Sequence, residues 1–252
     1  AAMKLLAVET ATAWQSVAVL DGAKVVARSD EDATCSHAKR LVPAIDRLLK
    51  TCGLTLSSLG GLAVSIGPGS FTGLRIGLAT MMGFRSITGL PLAAVPTLEA
   101  MAWNVPRGDR LLCPIVKARI GEVYWGLYQW TNAGILQCVM RERVGPLELV
   151  VQSIEGPTLV FGEGWLAYRN ELRRLLGPRE CDACEAPQEA MAASAVSVGL
   201  AGLERLARGE TAGQGLSPLY VQRTEAELKW DLRPAYLARS EKAHGVTKDV
   251  RR

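Results

Sequence analysis

The sequence is poor in histidine and has only two, His37 and His244. It contains no His-Glu-x-x-His motif, in which two imidazoles one helical turn apart bind the zinc of a metalloprotease. With so few imidazoles a Ser-His-Asp triad also has few candidates. Ser70 does not lie in the Gly-x-Ser-x-Gly turn that carries an α/β-hydrolase nucleophile. The sequence therefore argues against the common classes of hydrolase.

Long apolar segments are absent as well. No run approaches the roughly 20 residues that a helix needs to span a bilayer. The N-terminus shows no basic region followed by the apolar core of an export signal. We therefore expect a cytoplasmic protein with no membrane partner.

Excess positive charge is confined to one end of the chain. The formal net charge is +4, but residues 226–252 contain seven Lys or Arg and four Asp or Glu, which leaves 22 basic and 21 acidic residues in the rest. The body of the protein therefore lacks the basic surface of a nucleic-acid-binding domain. The polar, aperiodic residues 231–252 are predicted to be a disordered tail, and a solvated end is favoured over a segment that touches RNA.

The six cysteines are scattered, and only Cys181 and Cys184 have the spacing of a metal or redox pair. A zinc ribbon needs a second such pair, and a thioredoxin-type site needs its pair on a strand-to-helix turn early in a βαβ unit. Neither context is present. We interpret the cysteines as incidental thiols of a reduced cytosolic protein, in preference to a metal site.

Residues 67–75 form the most unusual segment, Gly-Pro-Gly-Ser-Phe-Thr-Gly-Leu-Arg, called the glycine loop below. They follow an apolar run, 62–66, that is typical of a buried strand, and they lead into a helical pattern from Leu74 to Ile87. Such a turn can hold an anion on the backbone N–H groups of a helix N-terminus, or it can let another backbone approach closely. The glycine spacing fits neither the P-loop nor the dinucleotide fingerprint.

The predicted elements occur twice in the same order. Apolar strands, a hairpin turn at Asp21-Gly22 and amphipathic helices give the order βββαβαβα, and the same order then follows again. This duplication predicts an α/β protein with two lobes, residues 1–104 and 105–208, and a cleft between them. We expect the last long helix, 188–208, to pack back on the first lobe, and 209–230 to form a C-terminal return segment.

Three glycines, Gly73, Gly77 and Gly83, lie near one side of the predicted helix 74–87. A glycine inside a helix costs about 0.5–1 kcal/mol relative to alanine, so these positions require a packing reason. Packing on the protein's own sheet and contact with a helix of another subunit are both compatible with the pattern. The neighbouring methionines would suit an adaptable contact with a partner.

Five motifs occur together in one order. They are Leu6-Ala-Val-Glu-Thr10, the segment from Cys35 to Pro43, the glycine loop with its continuation Ile76-Gly-Leu78, Arg119-Ile-Gly-Glu-Val-Tyr124, and Pro218-Leu-Tyr-Val-Gln-Arg223. In these motifs the sequence resembles the TsaB (YeaZ) family, clearly over 4–126 and 216–224 and loosely over 146–215.

The resemblance implies an actin-like fold of the sugar-kinase and chaperone-ATPase superfamily. It also implies a partner subunit of the bacterial machinery that forms threonylcarbamoyladenosine in tRNA. In that family TsaB pairs with TsaD, the related subunit that transfers the threonylcarbamoyl group to N6 of the adenosine beside the anticodon, and TsaE completes the assembly. Contact with tRNA is then indirect, through the complex, and the isolated chain is expected to form a homodimer.

By the same resemblance, the helices at 36–52 and 73–88 are the expected pairing surface for TsaD or for a second copy. The residues assigned to this surface are His37, Arg40, Leu41, Ile45, Gly73, Gly77, Met81 and Phe84. On this basis Gly77→Arg or Met81→Glu should abolish pairing while the monomer stays folded.

Residues that a catalytic relative would use are altered in this chain. TsaD-type catalysis uses a His-x-x-x-His pair on the first long helix, but Leu41 stands four residues after His37. Glu9-Thr10-Ala11 replaces the family's usual Asp-Thr-Ser, and Lys117 stands where aspartate is common. We therefore expect no metal and no catalytic cofactor, and magnesium is disfavoured, whereas weak binding of ATP or ADP is left open.

The residues assigned to the glycine loop and to a nucleotide or anion are Glu9, Thr10, Gly67, Gly69, Ser70, Phe71, Thr72, Gly73 and Arg75. Arg75 suits pairing with a carboxylate or phosphate, and it equally suits a structural role in its own lobe. No catalytic residue is assigned.

The leading hypothesis is a degenerate, non-catalytic scaffold subunit that docks TsaD. The alternative is a stand-alone actin-like ATPase or small-molecule kinase, and a third hypothesis is a homodimeric module unrelated to tRNA. Turnover of magnesium-ATP by the chain alone, lost in Glu9→Ala, would favour the alternative.

Overall fold

Two mixed β-sheets of five strands each form the framework of the protein. The computed structural model describes residues 2–32 and 37–221, apart from the side chains of His37 and Cys181. The strands are β1 (Lys4–Glu9), β2 (Trp14–Asp21), β3 (Lys24–Asp32), β4 (Gly61–Ser65), β5 (Leu92–Val95), β6 (Leu111–Lys117), β7 (Glu122–Trp130), β8 (Leu136–Pro146), β9 (Thr158–Phe161) and β10 (Ala183–Glu185). The helices are α1 (His37–Thr51), α2 (Phe71–Thr88), α3 (Thr97–Ala102), α4 (Leu147–Ser153), α5 (Glu163–Leu176) and α6 (Ala195–Ala207).

The first sheet has the order β3-β2-β1-β4-β5, with β1 at its centre. β1 is antiparallel to β2 and parallel to β4. Helices α1 and α2 cover the face that carries Leu6 and Val8, and α6 covers the face that carries Leu5 and Ala7. Because both faces are covered, β1 is a continuous apolar run rather than an alternating one.

The second sheet has the order β10-β9-β6-β7-β8, which repeats the first. Its core contains the largest enclosed side chains of the described residues, among them Trp125, Tyr128, Phe161 and Trp165. Each half of the chain has the element order βββαβαβα when the short 3-10 helices are set aside. The predicted duplication and the α/β class are therefore confirmed.

The third helix of each half packs on the sheet of the other half. α3 contacts β6 and β7 of the second sheet, whereas α6 contacts β1, β2 and β4 of the first. Leu98 and Met101 of α3 accordingly belong to the core of the second sheet. α3 and α6 also contact each other, and an ion pair joins Glu99 to Arg205 at 2.6 Å. The exact lobe boundaries, 1–104 and 105–208, stay a prediction.

Two helices begin at other residues than the sequence predicts. α2 begins at Phe71 rather than Leu74 because Ser70 caps it. The predicted helix 188–208 is shorter, since α6 begins only after Ser194, whose extended backbone and side chain form the N-cap. The Ser194 hydroxyl accepts a hydrogen bond from the Val196 amide at 3.1 Å, as serine N-caps do.

Other predictions concern residues outside the described ranges. These are the tail 231–252, the end of the fifth motif at Gln222 and Arg223, and the start of the first helix at Ser36. Within the described residues, no helix is both long enough and apolar enough to cross a membrane.

Candidate functional site

The glycine loop connects the carboxyl end of β4 to the start of α2. Its Gly67–Pro68 peptide is cis, and Gly67 and Gly69 have φ angles of 107° and 157°, which side-chain-bearing residues rarely adopt. The Ser70 hydroxyl accepts a hydrogen bond from the Gly73 amide at 3.2 Å and so caps α2. The loop is therefore a fixed turn at a helix N-terminus.

The turn between β1 and β2 lies directly against this loop. The Ser70 amide donates a hydrogen bond to the carbonyl oxygen of Ala11 at 2.6 Å, and the Thr97 amide donates to that of Gly67 at 2.7 Å. The Gly73 amide is occupied by the Ser70 hydroxyl. Two amides at the start of α2 that could face an anion are thus used within the chain.

Three glycines are required by this close approach. A Cβ atom at Gly69 would lie 2.2 Å from the carbonyl oxygen of Ala11, and one at Gly73 would lie 2.1 Å from that of Thr10. At Gly77, a Cβ atom would lie 2.3 Å from Thr10 Oγ1. Since Cβ contacts essentially never fall under 3.0 Å, no side chain fits at these positions without movement. Of the two possibilities for the loop, the geometry supports close backbone approach.

Glu9 ends β1 beneath the loop, and its side chain is completely enclosed. One carboxyl oxygen accepts a hydrogen bond from the Ala11 amide, and the other has no hydrogen-bond partner among the described residues. Burial raises the pKa of Glu9 from 4.5 to about 7, although nearby donors, the Ala11 amide first among them, lower it. Burial therefore favours the neutral form of this carboxyl group relative to an exposed glutamate.

One charged group of the second half, Glu163, acts on Glu9. The Glu163 carboxylate at the start of α5 contributes to the raised pKa of Glu9. The pKa of Glu163 is itself raised by burial, whereas the charge and the backbone amide of Lys117 lower it. Lys117 is the last residue of β6, as Glu9 is the last residue of β1. Because β1 and β6 are the first strands of the two halves, the two positions correspond. The two acids and Lys117 therefore form one electrostatic group.

These residues do not fit the magnesium–nucleotide site of an actin-like ATPase. A magnesium ligand must be an oxygen that the ion can reach, yet the side chain of Glu9 is completely enclosed. Two amides at the start of α2, those of Ser70 and Gly73, are bonded to the chain itself. Nowhere in the described ranges do three or more His, Cys, Asp or Glu residues form a group that could hold a metal.

Comparison with known proteins places the chain in a family. A family model described as "TsaD: tRNA N6-adenosine threonylcarbamoyltransferase" matches residues 25–152, about half of the chain. The tRNA threonylcarbamoyladenosine biosynthesis protein TsaB of Escherichia coli (strain K12) is 37% identical over 66% of this chain and 74% of that protein. The protein of the same name from Bacillus subtilis (strain 168) is 30% identical over 90% of this chain and 98% of that protein. The chain belongs to the TsaB family.

Solved structures agree with this TsaB assignment. YeaZ from Pseudomonas aeruginosa matches with a TM-score of 0.72 and 30% identity, over 86% of this chain and 99% of that one. The ethanolamine utilization protein EutJ from Carboxydothermus hydrogenoformans matches with a TM-score of 0.50 and 15% identity, over 77% of this chain and 88% of that one. The latter likeness concerns the fold alone. The actin-like fold expected for a TsaB protein is confirmed.

Most of the pairing residues expected from the TsaB resemblance lie inside the protein. Leu41, Ile45 and Met81 are at most 2% exposed and belong to the core between the first sheet and its helices. Gly73 and Gly77 pack against Thr10. Because an enclosed residue offers no area to a partner, we correct the assignment of these five residues: they hold α1 and α2 on the sheet. Gly77→Arg and Met81→Glu would disturb that packing and cannot separate pairing from folding.

The remaining pairing residues are closer to the surface. Arg40 is exposed, and its guanidinium donates a hydrogen bond to the carbonyl oxygen of Asp32 at 2.9 Å. Phe84 is half-buried, and the side chain of His37 lies outside the described residues. A role for these three in pairing stays a prediction.

A surface groove between the C-terminal halves of α1 and α2 was not predicted from the sequence. It has a volume of about 740 Å³, and its lining combines apolar residues, among them Val42, Leu49, Leu54, Phe84, Ile87 and Leu90, with the polar residues Asp46, Lys50, Thr55, Ser57 and Thr88. Val42 is 49% exposed and Ile87 is 83% exposed. Apolar residues at the solvent-facing positions of two helices were the signal that could have indicated this groove.

Phe71 and Arg75 form a contact on the exposed side of the first turns of α2. The Arg75 guanidinium lies 3.7 Å from the centroid of the Phe71 ring, the geometry of a cation–π interaction. Thr72, between them, is exposed. Of the two roles considered for Arg75, this contact supports the structural one, because it joins successive turns of the same helix.

Proposed function

We propose that this chain is a non-catalytic pairing subunit in the biosynthesis of threonylcarbamoyladenosine in tRNA, and that it docks a TsaD subunit. The membership in the TsaB family carries the proposal, since the relatives from Escherichia coli and Bacillus subtilis are named for that biosynthesis. TsaE would join the same assembly, and tRNA would be contacted through the complex.

The absence of a catalytic role is supported by the residues around the glycine loop. Glu9 is enclosed beneath the β1–β2 turn, and the loop packs on that turn at Ala11 and Thr10. A catalytic carboxylate must reach its substrate, and this one is covered. No observation on the described residues favours a stand-alone ATPase or kinase. The chain alone with magnesium and ATP should show no hydrolysis above background.

The pairing surface that we propose is the outer face of α2 with the adjoining face of α1. Ala79, Gly83 and Ile87 follow one another at intervals of four residues, and all three are exposed. A Cβ atom at Gly83 would meet nothing within 4 Å, in contrast to Gly73 and Gly77. Packing among the described residues therefore does not explain why glycine stands at position 83. A glycine inside a helix costs about 0.5–1 kcal/mol relative to alanine.

Contact with a helix of a partner subunit would explain the glycine at position 83. Small residues allow two helix backbones to approach closely, and the groove between α1 and α2 has the exposed side chains of Val42 and Ile87, which a partner could bury. Burial of their exposed area favours association, with an upper limit of about 1.5–3 kcal/mol for a side chain that goes from fully exposed to fully buried. The same face would serve in a homodimer of the isolated chain, because both contacts need the same apolar area.

Two substitutions on this face test the proposal. Gly83→Arg fills the open space and Ile87→Glu places a charge in the groove, so we expect each to weaken association with cognate TsaD at least tenfold. Leu166→Glu is the matched control, because Leu166 is an exposed apolar residue of α5 in the second half, 43% exposed. Association is measured by co-elution and light scattering, and folding by circular dichroism.

The functional part of the proposal is tested in a reconstituted assay. Modified adenosine in tRNA is quantified with TsaD and TsaE, with and without this chain and with each variant. Modification that does not depend on this chain would contradict the proposed role. Unchanged co-elution of Gly83→Arg and Ile87→Glu with TsaD would contradict the proposed surface and leave the role itself standing.

A further inference from the structure

The segment that follows α6 crosses the first half of the protein without regular secondary structure. It runs from Gly209 to Leu219 and is called the C-terminal strap below. Most of its residues are exposed, yet its course is fixed at its start, middle and end by contacts with three separate elements. A surface segment that is held at only a few points can detach while the core beneath it stays folded.

The start of the strap is held by charge. The Glu210 carboxylate pairs at 3.2 Å with Arg205, in the last turn of α6, and at 2.8 Å with Arg208, the residue that follows α6. The Glu210 amide also donates to the carbonyl oxygen of Arg205 at 2.9 Å. These bonds direct the chain away from α6 towards β5.

The middle of the strap closes the open edge of the first sheet. β5 is the last strand on that side, and the Ala212 amide donates a hydrogen bond to the carbonyl oxygen of Leu92 at 2.7 Å. The Arg85 guanidinium of α2 donates to the carbonyl oxygen of Gly213 at 3.1 Å. Leu216 packs against the core beneath α1 and α2. The strap therefore covers an edge that would otherwise be open to another strand.

The end of the strap lies at the glycine loop. The Leu219 amide donates to the carbonyl oxygen of Ile66 at 2.7 Å. The Leu219 carbonyl oxygen lies 3.1 Å from where a Cβ atom of Gly67 would be. The strap thus contacts α2 at both ends: through Arg85 near its C-terminus and through the loop that leads into its N-terminus.

We propose that the C-terminal strap is a clasp that sets the position of α2, and that its release loosens the glycine loop and weakens pairing through the outer face of α2. Arg85 lies between Gly83 and Ile87, so the strap is attached to the turns that carry the proposed pairing surface. The part of this inference that concerns pairing rests on the proposed function; the part that concerns the loop does not.

Hydrogen exchange on the full chain tests the clasp. Leu216→Asp removes the apolar anchor, and Ser217→Asp is its control because Ser217 is the exposed next residue and receives the same charge. We expect exchange of the Ser70 and Thr97 amides to become at least tenfold faster in Leu216→Asp and to stay unchanged in Ser217→Asp. Arg85→Gln removes the hydrogen bond to the Gly213 carbonyl oxygen and should accelerate exchange of the same two amides by a smaller factor. This variant replaces Leu216→Asp in the experiment if Leu216→Asp does not fold.

Each outcome of the experiment decides a part of the proposal. Unchanged exchange of both amides in Arg85→Gln and in folded Leu216→Asp would overturn the clasp. Faster exchange with unchanged binding of cognate TsaD would overturn the coupling to pairing. If the unaltered chain did not bind TsaD, the proposed function would fail, and exchange at the loop would still decide whether the strap holds it.

Discussion

Thr10 is the residue against which the glycine-rich motif packs. Its carbonyl oxygen faces Gly73 and its hydroxyl oxygen faces Gly77. The side chain is fully buried, and the hydroxyl oxygen has no hydrogen-bond partner among the described residues. At the scale of single residues, Gly77 is required by the side chain of Thr10, the residue that follows β1, and a smaller residue at position 10 would relax the requirement for glycine at position 77.

The packing of Thr10 on α2 can be tested with a pair of substitutions. Gly77→Ala places a methyl group 2.3 Å from Thr10 Oγ1, so we expect it to lower the free energy of unfolding by about 1–3 kcal/mol. Thr10→Ala removes that oxygen and leaves the Cβ of residue 10 at 3.5 Å, an ordinary contact. The double variant should therefore recover part of the loss, as measured by urea unfolding.

Gly83→Ala is the control for this pair. It is the same substitution on the same helix, but its methyl group meets nothing within 4 Å. We expect it to raise the stability of the isolated chain by about 0.5–1 kcal/mol. Equal effects of alanine at positions 77 and 83 would contradict the packing argument.

Glu9 gives a second prediction at this scale, for the dependence of stability on pH. Because the folded-state pKa lies near 7 and the ordinary value is 4.5, the folded protein keeps this proton at a pH where the unfolded chain has lost it. The contribution of neutral Glu9 is complete below pH 4.5 and is lost as the pH rises to about 7. The loss amounts to roughly 3 kcal/mol.

The measurement compares the unaltered chain with Glu9→Gln at pH 5 and at pH 8. The glutamine variant does not ionise, so its stability relative to the unaltered chain should increase between these values. Glu148→Gln, the same substitution at an exposed position on α4, is the control for the loss of one carboxyl group. A constant difference between Glu9→Gln and the unaltered chain would show that Glu9 does not titrate in this range.

At the scale of elements, α3 and α6 hold the two halves together. α3 packs on the second sheet, α6 packs on the first, and the two helices contact each other. Arg205 donates two hydrogen bonds to the Glu99 carboxylate, at 2.6 and 3.2 Å. The two side chains are only 22% and 20% exposed, so water screens this pair less than a surface pair.

A double-mutant cycle measures this contact. With Glu99→Gln and Arg205→Gln we expect a coupling energy of about 1–3 kcal/mol in urea unfolding. The pair Asp46–Lys50 on α1 is the control, because its 2.8 Å separation is similar while its side chains are 56% and 74% exposed. Its coupling should be below about 0.5 kcal/mol. Equal couplings would show that the α3–α6 pair adds nothing beyond a surface ion pair.

At the scale of the whole molecule, the exchange of helices makes each half depend on the other. Without α6, the face of the first sheet that carries Leu5, Ala7, Ala18 and Leu20 loses its cover. Without α3, the second sheet loses Leu98 and Met101 from its core. The two halves therefore have the same element order, but each contributes a helix to the core of the other.

Separated fragments test this dependence. We expect residues 1–104 alone to lack a cooperative unfolding transition, because the sheet face under α6 would be exposed to water. Mixing with residues 105–252 should restore cooperative unfolding. The readouts are circular dichroism and dispersion of the amide NMR spectrum. A stable, well-dispersed fragment 1–104 would contradict the shared core.

The sequence predicts much of the fold because its signals are local. The period of the apolar residues, the hairpin at Asp21-Gly22 and the order of elements each depend on neighbours in the chain. The helix predicted from residue 188 begins too early because the prediction relied on the alanine-rich composition. The N-cap at Ser194 instead sets the start of α6 at Ala195. Five of the eight predicted pairing residues on α1 and α2 are enclosed, and the sequence missed this because a helical pattern shows which residues share a side and not which side faces the core.

By itself, the sequence determined the class of the fold, the duplicated order, the position of the glycine loop and the family to which the chain belongs. Only the tertiary structure decided why the glycines at 69, 73 and 77 are needed, that Glu9 is enclosed, and that Gly83 and Ile87 form the open side of α2. The physical reason is distance along the chain. Thr10 meets Gly77, and Leu219 meets Ile66, across separations that no local pattern encodes.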